Sequence, residues 1–526
     1  AVPVATGPSG AAAPGADPAL GPGLDDARPN IVVIMADDMR ADEVAYMPNL
    51  QRLLGEQGVT FENSFSPHPL CCPARASFLS GQYTHNHEVW WNGKGFGFRA
   101  FDDSRTFATA LSAAGYNTAF LGKYLNGYGV QPPHGERNGV SSGTYVPPGW
   151  TDWRGAVESR DDEHPDSGSA YRYYDTTLND NGTWRSSGGK YQTRQLGDET
   201  TDMLSELTRS PKPFLLWASY LAPHTGAPRE ADDPRPFEWN GKQTGAQTPA
   251  RPPSVRGMFD DIITDVPGAD EETDVGDKPR WLAERAPLND DARASLLTLA
   301  RQRAESLQVL DSQVGRTVHA LERAGELDNT LVVFTSDNGF LMGEHRILRG
   351  KILPYEPSLR VPTLMRGPGI PAGQTRTDPV STIDFAPTLL AAAGVRPDLA
   401  MDGVSVLDTA RDGDRGWDRA VFTETGPWPF SDPDYWDDVR MLDEPEGPSP
   451  LRFQQGLRTP RWFYSELATG ERELYDLRAD PGQLDNIVDR PGYADQVRRL
   501  ARQLDRMRDC AGPSCARPMP ASLRSR

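Results

Sequence analysis

Two of the chain's four cysteines stand side by side in Pro69-Leu70-Cys71-Cys72-Pro73-Ala74-Arg75-Ala76-Ser77-Phe78-Leu79-Ser80-Gly81. A thiol followed closely by a proline and an arginine is a weak signal by itself, and two adjacent thiols also occur as a packed core pair. Acidic and amide side chains come in two further pairs, Asp37-Asp38 and Asp337-Asn338, each directly after an apolar run. Three carboxylates and one amide oxygen form a hard, all-oxygen set suited to Ca²⁺ or Mg²⁺ and not to zinc. One such pair could merely cap a helix; two sets at two strand ends point to a shared cation. Lysine occurs at only seven positions, Lys123 and Lys351 among them, in a chain that otherwise uses arginine, so a lysine here is either a needed compact, titratable donor or an ordinary surface cation. His224 follows Ala222-Pro223 at the end of another apolar run and is a candidate proton donor, the alternative being a core histidine.

These groups need a scaffold. Residues 30–36, 213–220 and 330–336 are continuous apolar runs of strand length, as strands buried on both faces are. Residues 117–121 and 360–365 read as two more strands. Helices are predicted over 47–57 (with Asn49 as N-cap and Gly58 closing it), 105–114, 291–324 and 383–393. The alternation predicts an α/β fold: a large, mixed but mostly parallel sheet flanked by helices. Ligands of such sheets sit beyond the carboxyl ends of the strands, where Asp37, Asp38, Lys123, His224, Asp337 and Asn338 all fall. Short strands at 419–423, 451–457, 462–467 and 473–477, followed by an amphipathic helix over 493–508, predict a smaller antiparallel α+β unit. The expected organisation is a linker over 1–27, a catalytic domain over 28–408 and a C-terminal subdomain over 409–526. Two polar insertions, 127–197 and 225–288, read as loops that hold substrate choice. Trp90, Trp91, Trp150, Trp153 and Trp184 are candidates for stacking on a sugar, the alternative being loop aromatics that only anchor their loops.

A length of 526 residues allows a large core, and a net charge of −19 argues against nucleic acid and anionic membrane surfaces as partners. No apolar run reaches the roughly 20 residues that span a bilayer. The Ala/Pro/Gly-rich start reads as a linker left after removal of a signal peptide, which predicts a secreted protein. Cys510 and Cys515 flank Gly512-Pro513 and predict a small disulfide loop.

The pattern Cys-x-Pro-x-Arg with Leu79-Ser80-Gly81 resembles the signature of the type I sulfatases, and the resemblance extends over about residues 28–485, including Glu473-Leu474-Tyr475-Asp476-Leu477, Asp480-Pro481 and Asn486. It implies an alkaline-phosphatase-like fold and conversion of Cys71 to Cα-formylglycine by a formylglycine-generating enzyme. The hydrated aldehyde is then the nucleophile that attacks sulfur. The resemblance implies Asp37, Asp38, Asp337, Asn338 and the converted Cys71 as ligands of Ca²⁺, while ligand types alone also admit Mg²⁺. It further implies Arg75 as a fixed charge near the nucleophile, Lys123 and Lys351 as sulfate contacts, and His224 with Lys351 as donors to the leaving alcohol. His345, in Gly343-Glu344-His345, is a weaker candidate for substrate contact that more often orients the Lys351 loop.

Many sulfatases carry Gly-Lys-Trp-His where this chain has Gly122-Lys123-Tyr124-Leu125, so the base that collapses the sulfated hydrate is unassigned. His85 and His87 are the nearest candidates by sequence, as bases or as pocket residues. Cys-Cys-Pro-x-Arg, Tyr83-Thr84-His85-Asn86-His87 and Gly122-Lys123-Tyr124-Leu125-Asn126 together resemble N-acetylglucosamine-6-sulfatases and extracellular heparan-sulfate 6-O-endosulfatases. The expected substrate is therefore a small-molecule or oligosaccharide sulfate ester, a 6-sulfated amino sugar or an aryl sulfate. The alternatives are a phosphonate monoester or phosphodiester hydrolase using the same site, and a sulfatase-fold binding protein in which Cys71 stays unconverted.

Overall fold

A computed structural model describes residues 28–524 except 94–95, 138–140, 159–168, 246, 267, 269–271 and 427–452. The expected linker over 1–27, on which the reading of secretion rests, lies outside the described residues, as does the start of the strand expected at 451–457.

Ten strands form the main sheet: β1 (Asn30–Ala36), β2 (Val59–Phe61), β3 (Asn117–Lys123), β4 (Asp152–Ala156), β5 (Thr177–Asp180), β6 (Thr183–Ser186), β7 (Phe214–Ser219), β8 (Thr330–Ser336), β9 (Thr363–Arg366) and β10 (Gln374–Arg376). Their spatial order is β10-β2-β9-β8-β1-β7-β3-β4-β5-β6. The centre, β8-β1-β7-β3-β4, is parallel, and antiparallel pairs lie outside it. β1, β7 and β8 are buried along their whole length, which is why their sequences are unbroken apolar runs without alternation.

Helices cover both faces: α1 (Cys71–Ser80), α2 (Phe107–Ala113), α3 (Gln192–Leu207), α4 (Asp290–Ala324) and α5 (Phe385–Ala392). In α4 the Asn289 side chain accepts from Ala292 N at the start, and Gly325 in the left-handed region ends it. One core layer packs Ile31, Val33 and Met35 of β1 against α1, α2 and α5; the other packs Val32 and Ile34 against α3 and α4. The alternate residues of one strand thus serve both faces.

The segment expected as one helix over 47–57 is a short turn at Pro48–Leu50 continued by wider turns over Gln51–Gly55. Asn49 does not cap it. The cap is Asp311 of α4, whose carboxylate accepts from Asn49 N at 3.0 Å and Leu50 N at 2.8 Å. The insertion at 127–197 is not one loop either. It contributes β4, β5 and β6 to the sheet edge, in pieces of four or five residues with little apolar pattern to announce them. Trp153 stacks on Phe120 at 4.4 Å between centroids, and Trp150 packs beside them. Trp90, Trp91, Trp150 and Trp153 are therefore buried core residues; Trp184 is 42% exposed.

A separate antiparallel sheet, β11 (Val421–Thr425), β12 (Gln454–Arg458), β13 (Trp462–Leu467) and β14 (Arg472–Asp476), pairs in chain order. Helix α6 (Ala494–Met507) lies on β12 and β13, and Cys510 is disulfide-bonded to Cys515. Phe422, Leu457, Phe463 and Leu474 of this unit share a core with Phe65, Leu70 and Tyr83, the residues that flank α1.

Candidate metal and anion site

Register brings the acidic pairs together. Ala36 on β1 is opposite Ser336 on β8 in a parallel ladder, so Asp37 and Asp337 leave neighbouring strands at the same level. Asp38 adopts φ 63°, unusual for a residue with a side chain, and its N–H donates to Asp337 Oδ1 at 3.1 Å. On the other side of β1, Gly122 of β3 is opposite Ser219 of β7, which puts Lys123 at the same edge. His224 arrives there after β7, held by Nδ1 against Thr225 O at 2.6 Å and by its carbonyl, which accepts from Tyr173 Oη at 2.7 Å.

Helix α1 points its first residue at this edge. Cys71 Sγ lies 3.4 Å from Asp37 Oδ1, 3.8 Å from Asp38 Oδ1 and 2.8 Å from Lys351 Nζ. Arg75 falls one turn later on the same face. Its Nε donates to Asp337 Oδ2 at 2.7 Å, and its Nη1 donates to Lys123 O and to Ser219 Oγ, both at 2.7 Å. Arg75 thus ties three strand ends together, while Nη2 stands 3.8 Å from Asp37 Oδ2.

Lys123 Nζ donates to Asp37 Oδ2 and Lys351 Nζ to Asp38 Oδ1; His224 Nε2 is 3.6 Å from Asp38 Oδ2. Burial would push the Asp37 and Asp38 carboxyls up, but these cations outweigh it and hold both below the usual carboxylate range. The two lysines are pushed up against their own burial, chiefly by Asp37 for Lys123 and Asp38 for Lys351. Burial, with Asp37 adding to it, pushes the Cys71 thiol well up, so the unconverted residue is a poor nucleophile.

The donors fit a hard cation. Carboxylate oxygens of Asp37 and Asp38 lie with Cys71 Sγ and a His224 nitrogen in one group whose atoms are all within 4.8 Å of one another. Asn338 donates to Asp38 Oδ1 at 2.7 Å, whereas its Oδ1 is buried with no partner among the described residues, an oxygen left over beside two carboxylates. Asp337 is adjacent, with Oδ1 accepting from two backbone amides and Oδ2 from Arg75. Three carboxylates face Arg75, Lys123 and Lys351; a divalent cation and a sulfate dianion would add no net charge to that set.

Two expected contacts go elsewhere. His85 gives Nδ1 to Glu424 Oε1 at 2.7 Å and Nε2 to Cys510 O at 2.8 Å, bolting the short helix Thr84–His87 to the C-terminal unit. His87 places Nε2 2.9 Å from Ser77 Oγ and accepts from Val89 N through Nδ1. Both rings are spent on the scaffold, because each satisfies a buried polar group. His345 is buried against Tyr355, with Nδ1 2.6 Å from Glu272 Oε2. The structure also adds two residues that the motifs did not announce. Ser219 donates to Lys123 O at 2.6 Å; Tyr171 lies over Lys123, with its ring centroid 4.7 Å from Nζ. A serine closing an apolar strand was a weak signal for the first, and nothing marked the second.

Known proteins bear on this geometry. Residues 29–395 match the profile of the family described as Sulfatase. The chain is 32% identical over 395 residues to a putative extracellular sulfatase Sulf-1 homolog of Caenorhabditis elegans, covering 73% of this chain and 49% of that one. It spans about half the length of that relative. Over 532 residues it is 30% identical to the N-acetylglucosamine-6-sulfatase of Capra hircus, covering 93% and 85%. Among solved structures, it is similar to one in complex with its substrate D-glucosamine-2-N,6-O-disulfate, with a TM-score of 0.67, 23% identity and coverage of 91% and 97%. The phosphonate monoester hydrolase of Agrobacterium radiobacter aligns with a TM-score of 0.63, 24% identity and coverage of 91% and 95%; likeness at that identity concerns the fold. With the profile covering well over half its length, the chain belongs to the sulfatase family.

Proposed function

We propose that this protein hydrolyses sulfate esters through a formylglycine made from Cys71 and a bound divalent cation. The observation that carries the reading is the place of Cys71, whose thiol stands between Asp37, Asp38 and Lys351 at the start of α1. In the unconverted chain that thiol stands in for the oxygens of the aldehyde hydrate. Cys71 is 1% exposed, so an enzyme that oxidises it acts before the fold closes.

Asp37, Asp38, Asp337 and Asn338 would hold the cation, Ca²⁺ by family resemblance. When bound, the cation supplies charge neutralisation at a sulfate oxygen and a lowered pKa for a hydroxyl beside it. Formylglycine supplies a hydroxyl nucleophile with a second hydroxyl to regenerate the aldehyde, so water need not attack a sulfate ester. The chain's own residues do the rest. Lys123 Nζ and Lys351 Nζ bind sulfate oxygens and keep the anion in line. Arg75 holds Asp337 and the carboxyl end of β3 in place without moving a proton. His224, oriented through Nδ1 by Thr225 O, presents Nε2 to hand a proton to the leaving oxygen, with Lys351 as the second donor. The burial of Asp37, Cys71 and Lys123 keeps water away from these charges and strengthens their effect.

Names of relatives at about 30% identity support a sulfated amino sugar such as N-acetylglucosamine 6-sulfate, and others support an aryl sulfate. Relatives named extracellular sulfatases and the disulfide support secretion. The test compares kcat/KM of Cys71-converted protein on N-acetylglucosamine 6-sulfate, an aryl sulfate and an aryl phosphonate monoester. The reading expects a sulfate to be preferred; preference for the phosphonate would replace it by a phosphonate hydrolase with the same groups.

A further inference from the structure

Tyr171 comes from the first insertion, yet it touches three parts of the site. Its ring faces the Lys123 ammonium, 4.7 Å from the centroid, and lies 5.1 Å from the His224 ring. Its hydroxyl accepts from Asn126 Nδ2, three residues beyond Lys123. The backbone around it clasps the loop that carries His224. Ala227 N donates to Tyr171 O at 2.9 Å, Tyr173 N donates to Ala227 O at 2.8 Å, and Tyr173 Oη donates to His224 O at 2.7 Å. Gly226 seats this clasp: a Cβ there would lie 2.7 Å from Tyr171 O.

A lysine ammonium is a point charge on a flexible stem and holds a direction only when it is fixed from more than one side. Asp37 fixes Lys123 Nζ on one side. An aromatic face supplies attraction on another without forming a bond that an incoming anion must break. We propose that Tyr171 is a positioning residue for the sulfate site, fixing Lys123 Nζ and the His224 ring through the face of its own ring. The inference rests on the hydrolytic reading above, and it gives the first insertion a part in the chemistry beyond substrate choice.

Tyr171→Phe and Tyr171→Leu, made in the full chain with Cys71 converted, separate ring from hydroxyl and from bulk. Four quantities are read: kcat and KM on an aryl sulfate, the Kd of inorganic sulfate from the shift in thermal midpoint, and the midpoint without sulfate. The Leu variant is expected to lower kcat by about tenfold and weaken sulfate by a similar factor, with Phe within about threefold of the parent on both. A purely structural role would move the midpoints and leave kcat per folded molecule and sulfate affinity alone. Leu equal to the parent, or Phe as damaging as Leu, overturns the inference. If the parent turns over sulfate esters and Leu has no effect, only this inference falls. If the parent binds sulfate and shows the Phe/Leu difference but hydrolyses no ester, positioning stands and the hydrolytic reading falls. A parent that neither binds sulfate nor hydrolyses an ester overturns both.

Discussion

The site gives Lys351 and His224 different duties, and substitutions can tell them apart. Lys351 meets both Asp38 and Cys71 Sγ, so besides standing as second donor to the leaving oxygen it serves the reacting residue and anion binding, which His224 does not. Lys351→Ala should lower kcat/KM by about a hundredfold or more on every sulfate ester, near 2.7 kcal/mol of lost transition-state stabilisation. Lys351→Arg should not restore it, because a planar fork does not replace a compact ammonium between a carboxylate and the reacting residue. His224 faces the leaving oxygen in the proposed mechanism. His224→Ala should cost about a hundredfold on N-acetylglucosamine 6-sulfate, whose alcohol needs a proton to leave, and much less on 4-nitrophenyl sulfate, whose phenolate does not. Equal losses on the two would remove His224 from that role.

The strand ends carry this arrangement, and one close approach shows how tightly. Gly122 precedes Lys123 with φ +100°, and a Cβ there would lie 1.9 Å from Ser219 O on the neighbouring strand. Gly122→Ala should destabilise by about 2–4 kcal/mol in denaturant unfolding, from the left-handed backbone and the forced separation of β3 from β7. Gly115→Ala is the comparison: its φ is also positive, but its nearest neighbour is 4.0 Å away, so a cost of about 1 kcal/mol is expected. The central strands were legible in the sequence because burial on both faces writes an unbroken apolar run, as in β8. The strand-end groups were legible because Asp-Asp, Asp-Asn and Gly-Lys break those runs abruptly. β4, β5 and β6 were not, since strands of four or five residues offer few positions to show a pattern, and β6 at the edge is mostly exposed. Nor was Tyr171, because a residue that acts by lying over a lysine 48 positions away leaves no local spacing to read. His85 and His87 misled for the converse reason. Nearness in sequence to Cys71 put them at the site, whereas Glu424 and Ser77 claim their nitrogens.

Across the molecule, buried titratable groups tie stability to pH. Burial holds His68 and His87 neutral, each lowered to about 3, so between about pH 6.5 and 3 the unfolded chain takes up protons that the native chain does not. Each therefore removes stability as pH falls. Asp103 acts oppositely: burial raises it to about 6 despite its bond from Tyr145, so between about pH 6 and 4 the native chain holds a proton that the unfolded chain lacks. Burial raises Glu230, Glu305, Asp311 and Asp402 in the same sense as Asp103, so a variant isolates the histidine contribution where the total slope does not. Urea midpoints measured from pH 7 to 4 should fall less, or rise more, in His87→Gln than in the parent. Removing divalent cations should abolish ester hydrolysis and leave the fold intact, because Lys123 and Lys351 can neutralise Asp37 and Asp38 by themselves; a chelated sample should lose activity without losing its cooperative thermal transition. The central claim is that Cys71, converted, is the nucleophile. It is tested most directly by mass spectrometry of the peptide carrying Cys71, on protein from a secreting host, alongside inorganic sulfate release from N-acetylglucosamine 6-sulfate by the same sample. The account predicts that sulfur is lost from Cys71 and that sulfate release rises in proportion to the converted fraction. Sulfate release by protein that retains the thiol in every molecule, or a fully converted protein that releases none from any sulfate ester, would contradict it.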